Sequence, residues 1–176
     1  MTEFVLDDFI GELRKAAVSA EPVRRVRELM TDAFSDPDAI RAAMPDYEND
    51  DEVLYEDDTV SIWFVRFVPG LHVPPHDHQT TATIGVYDGA EDNHFYLHED
   101  DHLVHKSTRR VGKGDVIALK PDGIHSVEAA NNENSLGIHV YLAKLTTIER
   151  SLFDWDTGVA QPFTDENYDR LKRLTA

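Results

Sequence analysis

Val73-Pro74-Pro75-His76-Asp77-His78 decides how the rest of the chain is read. On a β-strand the side chains of residues i and i+2 leave the same face, their Cα atoms roughly 7 Å apart. Two imidazoles can then converge on one metal ion while Asp77 points the other way. The two prolines restrict the backbone entering the strand, so the pair starts from a fixed position. His-x-His alone is a weak signal in a chain with 9 histidines. Its weight comes from a further candidate, His125, about fifty residues later.

The sequence on either side reads as short β runs broken by turn residues. Val53–Tyr55, Val60–Val68, Thr81–Tyr87, Asn93–Leu97, Leu103–Ser107, Val116–Leu119, His125–Ala129 and Gly137–Leu142 are the expected strands. Glu56-Asp57-Asp58, Pro69-Gly70, Asp88-Gly89, Gly112–Gly114 and Pro121-Asp122-Gly123 supply the turns. Strands at this spacing without helices between them predict an antiparallel sandwich or barrel. Before them, residues 4–19 and 22–35 carry apolar residues at helical spacing, and a third short helix is expected between Pro37 and Pro45. After residue 150 the chain is expected to leave the sheet. A last helix then opens at Thr164-Asp165-Glu166, with Arg170, Lys172 and Arg173 in its last turn.

Composition narrows the function classes. One domain is the natural expectation for 176 residues. The chain has no cysteine, which excludes disulfides, zinc–thiolate sites, iron–sulfur clusters and a cysteine nucleophile. With 34 acidic and 17 basic residues the net charge is −17, which argues against nucleic-acid backbones and anionic membranes as partners. No run approaches the ~18 apolar residues of a membrane span, and Met-Thr-Glu-Phe lacks the basic start of a signal peptide. The expectation is a cytoplasmic protein, with homo-oligomerisation left open.

Gly70, His76-x-His78 and Gly89, followed by Gly114, Pro121, Gly123 and His125, form a two-part pattern. It resembles the paired motifs of the cupin superfamily over roughly residues 50–145. The resemblance implies a mainly β fold: a double-stranded β-helix (jelly-roll) barrel with a metal in its mouth, N-terminal helices (1–48) and a C-terminal extension (146–176) with a short helix. The usual cupin glutamate after His-x-His is missing, its place being taken by Ala82 and Thr83. The implied ligands are therefore His76, His78 and His125. Three neutral imidazoles leave a divalent ion its full 2+ charge, which favours anionic ligands such as a thiolate or enolate.

Gly137-Ile138-His139-Val140-Tyr141 places His139 and Tyr141 on one strand face. A histidine beside a tyrosine can hold the phenol so that it donates to a bound substrate. A His-x-Tyr at this distance from the third ligand resembles the thiol dioxygenase family, which includes the cysteine and 3-mercaptopropionate dioxygenases. In that family three histidines hold Fe(II), a Ser-x-His-x-Tyr triad lies beside the iron, and both atoms of O₂ are added to a thiolate to give a sulfinate. His139 and Tyr141 match the last two triad members, and Gly137 stands in the serine's place. The cysteine that cross-links to the tyrosine in one branch corresponds to Thr83. The mercaptopropionate branch holds its substrate carboxylate with an arginine, which Arg150 matches.

The function so implied is an iron oxygenase oxidising a small anionic thiol with O₂. Imidazole ligation also suits nickel and zinc, and manganese is a further candidate in purified protein. The alternatives are a three-histidine cupin acting on a carbon acid or as an isomerase, and a metal-dependent binding module without turnover. Of the other histidines, His94, His98, His102 and His105 are expected to be solvated beside Glu99-Asp100-Asp101, and His72 to lie in a loop. Glu91, beyond the Gly89 turn, is a weak candidate for a missing carboxylate.

Overall fold

The computed structural model describes residues 4–100 and 102–175. The reading of Met1-Thr2-Glu3, and of Asp101, lies outside them. The elements run α1 (Leu6–Ala17), α2 (Pro22–Ala33), α3 (Pro37–Ala43), β1 (Asp51–Glu56), β2 (Ser61–Phe67), β3 (Leu71–His76), β4 (Ala82–Asp88), β5 (Ala90–Glu99) and β6 (His102–Gly112). They continue with β7 (Val116–Leu119), β8 (Ile124–Ala129), β9 (Ser135–Tyr141), a 3₁₀ turn at Leu145–Thr147, β10 (Ser151–Phe153), β11 (Ala160–Pro162), α4 (Asp165–Leu171) and β12 (Arg173–Leu174). None of the described helices is long and apolar enough to cross a membrane.

Two antiparallel sheets face each other. The first has the order β1-β2-β9-β4-β7, and the second β11-β10-β3-β8-β5-β6 with β12 also on β3. The central strands of the first sheet are buried on both faces, which explains their nearly continuous apolar sequence. Ile62, Phe64, Ile138 and Val140 join Phe9, Leu13, Val26, Met30, Phe34 and Ile40 in a core between sheet and helices. On the opposite face, Ala82, Ile84, Val86 and Tyr141 pack with Ile117 and Leu119 inside the barrel. The two-residue period therefore sends Ile138 and Val140 to the helices and His139 and Tyr141 into the barrel.

Helix starts follow local chemistry. Pro22 and Pro37 stand in the first turns of α2 and α3, and the Asp36 side chain caps α3 by accepting from the amide of Ala39. Phe34, at the end of α2, is wholly buried. Its ring occupies the space that a Cβ at Gly85 would need, at 2.5 Å, so the missing side chain lets the helix layer seat against β4.

Three expectations are corrected by the structure. The chain does not leave the sheet after residue 150: Leu152 of β10 pairs with His76, and β12 pairs with His72 and Leu71. His72 is a strand residue of β3 rather than a loop residue. His78 lies just beyond the strand that His76 ends, so the two ligand candidates straddle a strand terminus.

Phe34→Ala should remove about 3–5 kcal/mol of stability, as expected for an emptied aromatic site in a closed core. A urea midpoint close to wild type would show that α2 is not anchored through this ring.

Candidate metal centre

His76, His78 and His125 are brought together by β3, the loop after it and β8, where His76 and His125 are register partners. One ring nitrogen from each lies within 4.8 Å of the others, and all three residues are buried. The ring centroids of His76 are 5.0 Å from His78 and 4.5 Å from His125. The register break between Val73 and His76, where Pro74 and Pro75 stand, turns His76 inward; proline tolerates such an irregular position because it owes no ladder hydrogen bond.

Hydrogen bonds fix which nitrogens are available. His76 Nδ1–H donates to the Pro74 carbonyl at 2.9 Å. His125 Nδ1–H donates to Asn93 Oδ1 at 2.9 Å, and the Asn93 amide donates in turn to Glu91 Oε1 at 2.9 Å. Both rings therefore present Nε2 as a lone pair, oriented from behind as metal-binding imidazoles are. His125 Nε2 and His78 Nδ1 are buried without a hydrogen-bond partner. Burial lowers all three imidazoles, His76 to about 4 and the other two well below their ordinary value, with the neighbouring rings adding to the effect on His78 and His125. The cluster is thus neutral at pH 7 and rich in unpaired lone pairs. That is the donor set of a divalent-ion site, and its residues fit a metal.

Glu91 is not a member of this cluster. It is fully buried behind it, held by Asn93 and by the Ser135 hydroxyl at 3.2 Å, and burial pushes its carboxyl up to about 7. The turn at Gly89 does not carry it away from the site, because β5 returns alongside β8 as its antiparallel neighbour.

His139 and Tyr141 lie inside the barrel, with His139 Nδ1 3.2 Å from the Tyr141 oxygen. His139 Nε2 is buried without a partner. A buried lone pair is tolerated better than a buried orphan N–H, so the proton belongs on Nδ1, which donates to the phenol oxygen. The Tyr141 O–H is left to donate elsewhere. Burial raises the phenol above its ordinary range and lowers His139 to about 3. Gly137 explains the orphan nitrogen. A Cβ built there would stand 3.5 Å from His139 Nε2 but only 2.8 Å from the Gly85 carbonyl. The β4–β9 contact therefore closes the place that a serine would occupy.

These side chains line one cavity of about 540 Å³, together with Trp63, Phe67, Arg150 and Phe163. Arg150 is half-buried, its Cζ 4.2 Å above the Phe163 ring. Among the described residues its guanidinium makes no hydrogen bond or salt bridge. Arg66, by contrast, spends its donors on Asp50 and on the carbonyls of Tyr47 and Glu48. Asp50, Asp51, Asp165 and Lys172 line the exposed end of the cavity.

Sequence reasoning missed Asp77. Its carboxylate accepts from the Ser151 amide at 2.9 Å, its own amide donates to the Ser151 carbonyl at 3.1 Å, and Gln79 donates to its other oxygen at 2.7 Å. The middle residue of His-x-His thus pins the Arg150–Ser151 segment to the His76–His78 loop. Only its burial amid polar partners reveals this, and a lone aspartate carries no such signal in a chain this acidic.

No protein-family model matches the chain, and no curated protein sequence matches it. Among solved structures, a Klebsiella pneumoniae protein with a double-stranded β-helix domain aligns over 64% of this chain and 87% of its own, at 16% identity and a TM-score of 0.50. A cupin-like protein from Thermotoga maritima aligns over 69% and 82%, at 22% identity and a TM-score of 0.45. Oxalate decarboxylase from Bacillus subtilis aligns over 49% of this chain at 20% identity and a TM-score of 0.42. This chain covers only 22% of that enzyme. At these identities the likeness concerns the fold, which is the mainly β, double-stranded β-helix fold of the cupins.

His76→Ala and His125→Ala, each alone, should abolish stoichiometric binding of a divalent ion while the chain stays folded. Unchanged metal content by elemental analysis in either variant would remove that residue from the ligand set.

Proposed function

We propose that the chain is an Fe(II)-dependent thiol dioxygenase acting on a small thiol acid of the cysteine or 3-mercaptopropionate kind. One observation carries the reading: a half-buried guanidinium that makes no hydrogen bond or salt bridge among the described residues opens on the same cavity as three neutral imidazoles and a phenol O–H. A cation left unpaired at that depth is costly unless an anion meets it. An arginine meets a carboxylate with two parallel hydrogen bonds.

The reaction is R–S⁻ + O₂ → R–SO₂⁻. Sulfur gives up four electrons, O₂ takes them, and both oxygen atoms stay on sulfur, so no further reductant is needed. Bound ferrous iron supplies the redox chemistry and the positions at which thiolate and O₂ meet. The protein's own part is positioning. Arg150 takes the carboxylate, and Asp77 holds its segment against the His76–His78 loop. Tyr141 donates its O–H into the cavity, oriented by His139. The all-histidine set leaves the ion its 2+ charge, which favours a thiolate. His139 has no serine behind it and is held instead by packing, with the Phe67 ring 6.1 Å away.

The carbon-acid reading draws on the exposed end of the cavity. Asp50, Asp51 and Asp165 stand there, and desolvation together with Glu52, Asp50 and Asp165 raises the Asp51 carboxyl. Such a rim suits a substrate with a cationic group at the end away from Arg150.

Protein reconstituted with Fe(II) without air should consume O₂ in step with sulfinate formation for at least one small thiol acid. Arg150→Ala should lower kcat/KM by roughly 30-fold or more, in line with the ~2–5 kcal/mol lost when a charged hydrogen-bonding partner is removed. Arg150→Lys should recover only part, because an ammonium cannot form the fork. Iron content should stay normal in both. No oxygen uptake across such thiols, with cleavage or isomerisation of a carbon acid instead, would decide for the other reading.

A further inference from the structure

β3 and β8, which carry His76 and His125, and their neighbour β5, which carries Asn93 behind His125, present a second set of ligand-type side chains on their opposite face. His72 precedes His76 on β3, Glu128 follows His125 on β8, and His94 adjoins Asn93 on β5. His72 and Glu128 are register partners, and Asp92 beside His94 is also paired with Glu128. One atom from each of His72, His94 and Glu128 lies within 4.8 Å of the others, and all three residues are half-buried. None of the three lines the inner cavity.

We propose that His72, His94 and Glu128 form a second divalent-metal site, of the zinc class, on the outer face of the barrel. Two imidazoles and a carboxylate are three of the four ligands that zinc takes in a tetrahedral site, and a water completes it. The surroundings hold the ligands in place. Thr108 Oγ1 lies 2.8 Å from His94 Nδ1, and Ser126 Oγ lies 2.8 Å from His72 Nε2 with the Tyr96 hydroxyl 3.0 Å beyond. Trp155 covers the His72 ring edge-on at 4.8 Å.

The proton inventory also fits. His94 Nε2 stands 3.1 Å from Glu128 Oε1, so without metal it must carry the hydrogen that joins them. When an ion arrives, the hydrogen moves to Nδ1, which then donates to Thr108, and Nε2 is freed as a ligand beside the carboxylate. The ring gives the Nε2 proton to water and takes one from water at Nδ1, and the Thr108 hydroxyl turns from donor to acceptor. The basic groups around the cluster have partners of their own: Arg110 forks onto Asp92, and Arg173 stacks on Trp155 and pairs with Asp156. Glu128 is therefore the charge left to attract a cation. An ion here would clamp β3 to β5 across β8, bracing from behind the two strands that carry His76 and His125.

The test is a Zn²⁺ titration of tag-free, chelator-stripped protein, followed by the imidazole ring resonances of His72 and His94 and by calorimetry. Both rings should shift together and saturate within a few equivalents. Glu128→Gln and His94→Gln should each weaken that binding event at least tenfold. The near-isosteric Glu128→Gln carries the test if the histidine variant folds poorly. Ring resonances that stay unmoved at ten equivalents of Zn²⁺, or an affinity unchanged in Glu128→Gln, would overturn the proposal. The His72 and His94 resonances report this site alone, and heat from zinc entering the inner cluster should be unchanged in Glu128→Gln.

Discussion

A β-strand has two faces, and β9 needs both. Ile138 and Val140 anchor it to the helices, and the same alternation commits His139 and Tyr141 to the barrel interior. A register slip of one residue would put the two polar rings under the helix layer and two aliphatic ones in the cavity, at a cost on both sides. The helices are therefore more than a cover over one sheet. By burying the outer face they fix the register of β9 against β2 and β4, and that register aims the phenol at the histidine cluster.

The interior opposite is held in tension. Buried unpaired polar atoms typically cost about 1–3 kcal/mol each, and this cavity gathers several around His78, His125 and His139. Water or a cation could satisfy them, but the rings are locked from behind in a way that suits a cation. His76 is tied to a backbone carbonyl, and His125 to an amide that a buried carboxyl holds in turn. The chain Glu91–Asn93–His125 places a carboxyl that burial pushes up to about 7 two hydrogen bonds from the ring of a candidate ligand, on its Nδ1 side. Arg150 adds a positive charge that makes no salt bridge among the described residues. An anionic ligand bridging cation and guanidinium relieves both ends of this imbalance.

Much of this was legible in the sequence, because the deciding signals are local. Paired prolines before His-x-His, a Pro-x-Gly-x-His turn and a two-residue period around His139 each declare themselves within a few residues. What escaped depends on partners far along the chain. β10 is three residues long and has no periodicity of its own, so its pairing with His76 shows only in the fold. Asp77 reads as a spacer until Ser151 is brought against it. His94 reads as a solvated histidine and His72 as a loop residue because their third partner, Glu128, sits on a strand between theirs. Glycine was misleading in a different way: Gly137 reads as a lost serine, whereas the structure shows a close backbone approach that excludes any side chain.

The central claim is that this cavity places a thiolate and O₂ together and transfers both oxygen atoms to sulfur. The most direct measurement is turnover of the iron-loaded protein under ¹⁸O₂ with cysteine and 3-mercaptopropionate, followed by mass analysis of the product. The account predicts a sulfinate in which both oxygens are ¹⁸O. A product carrying oxygen from water, or the absence of any sulfinate from protein shown to hold its iron, would contradict it.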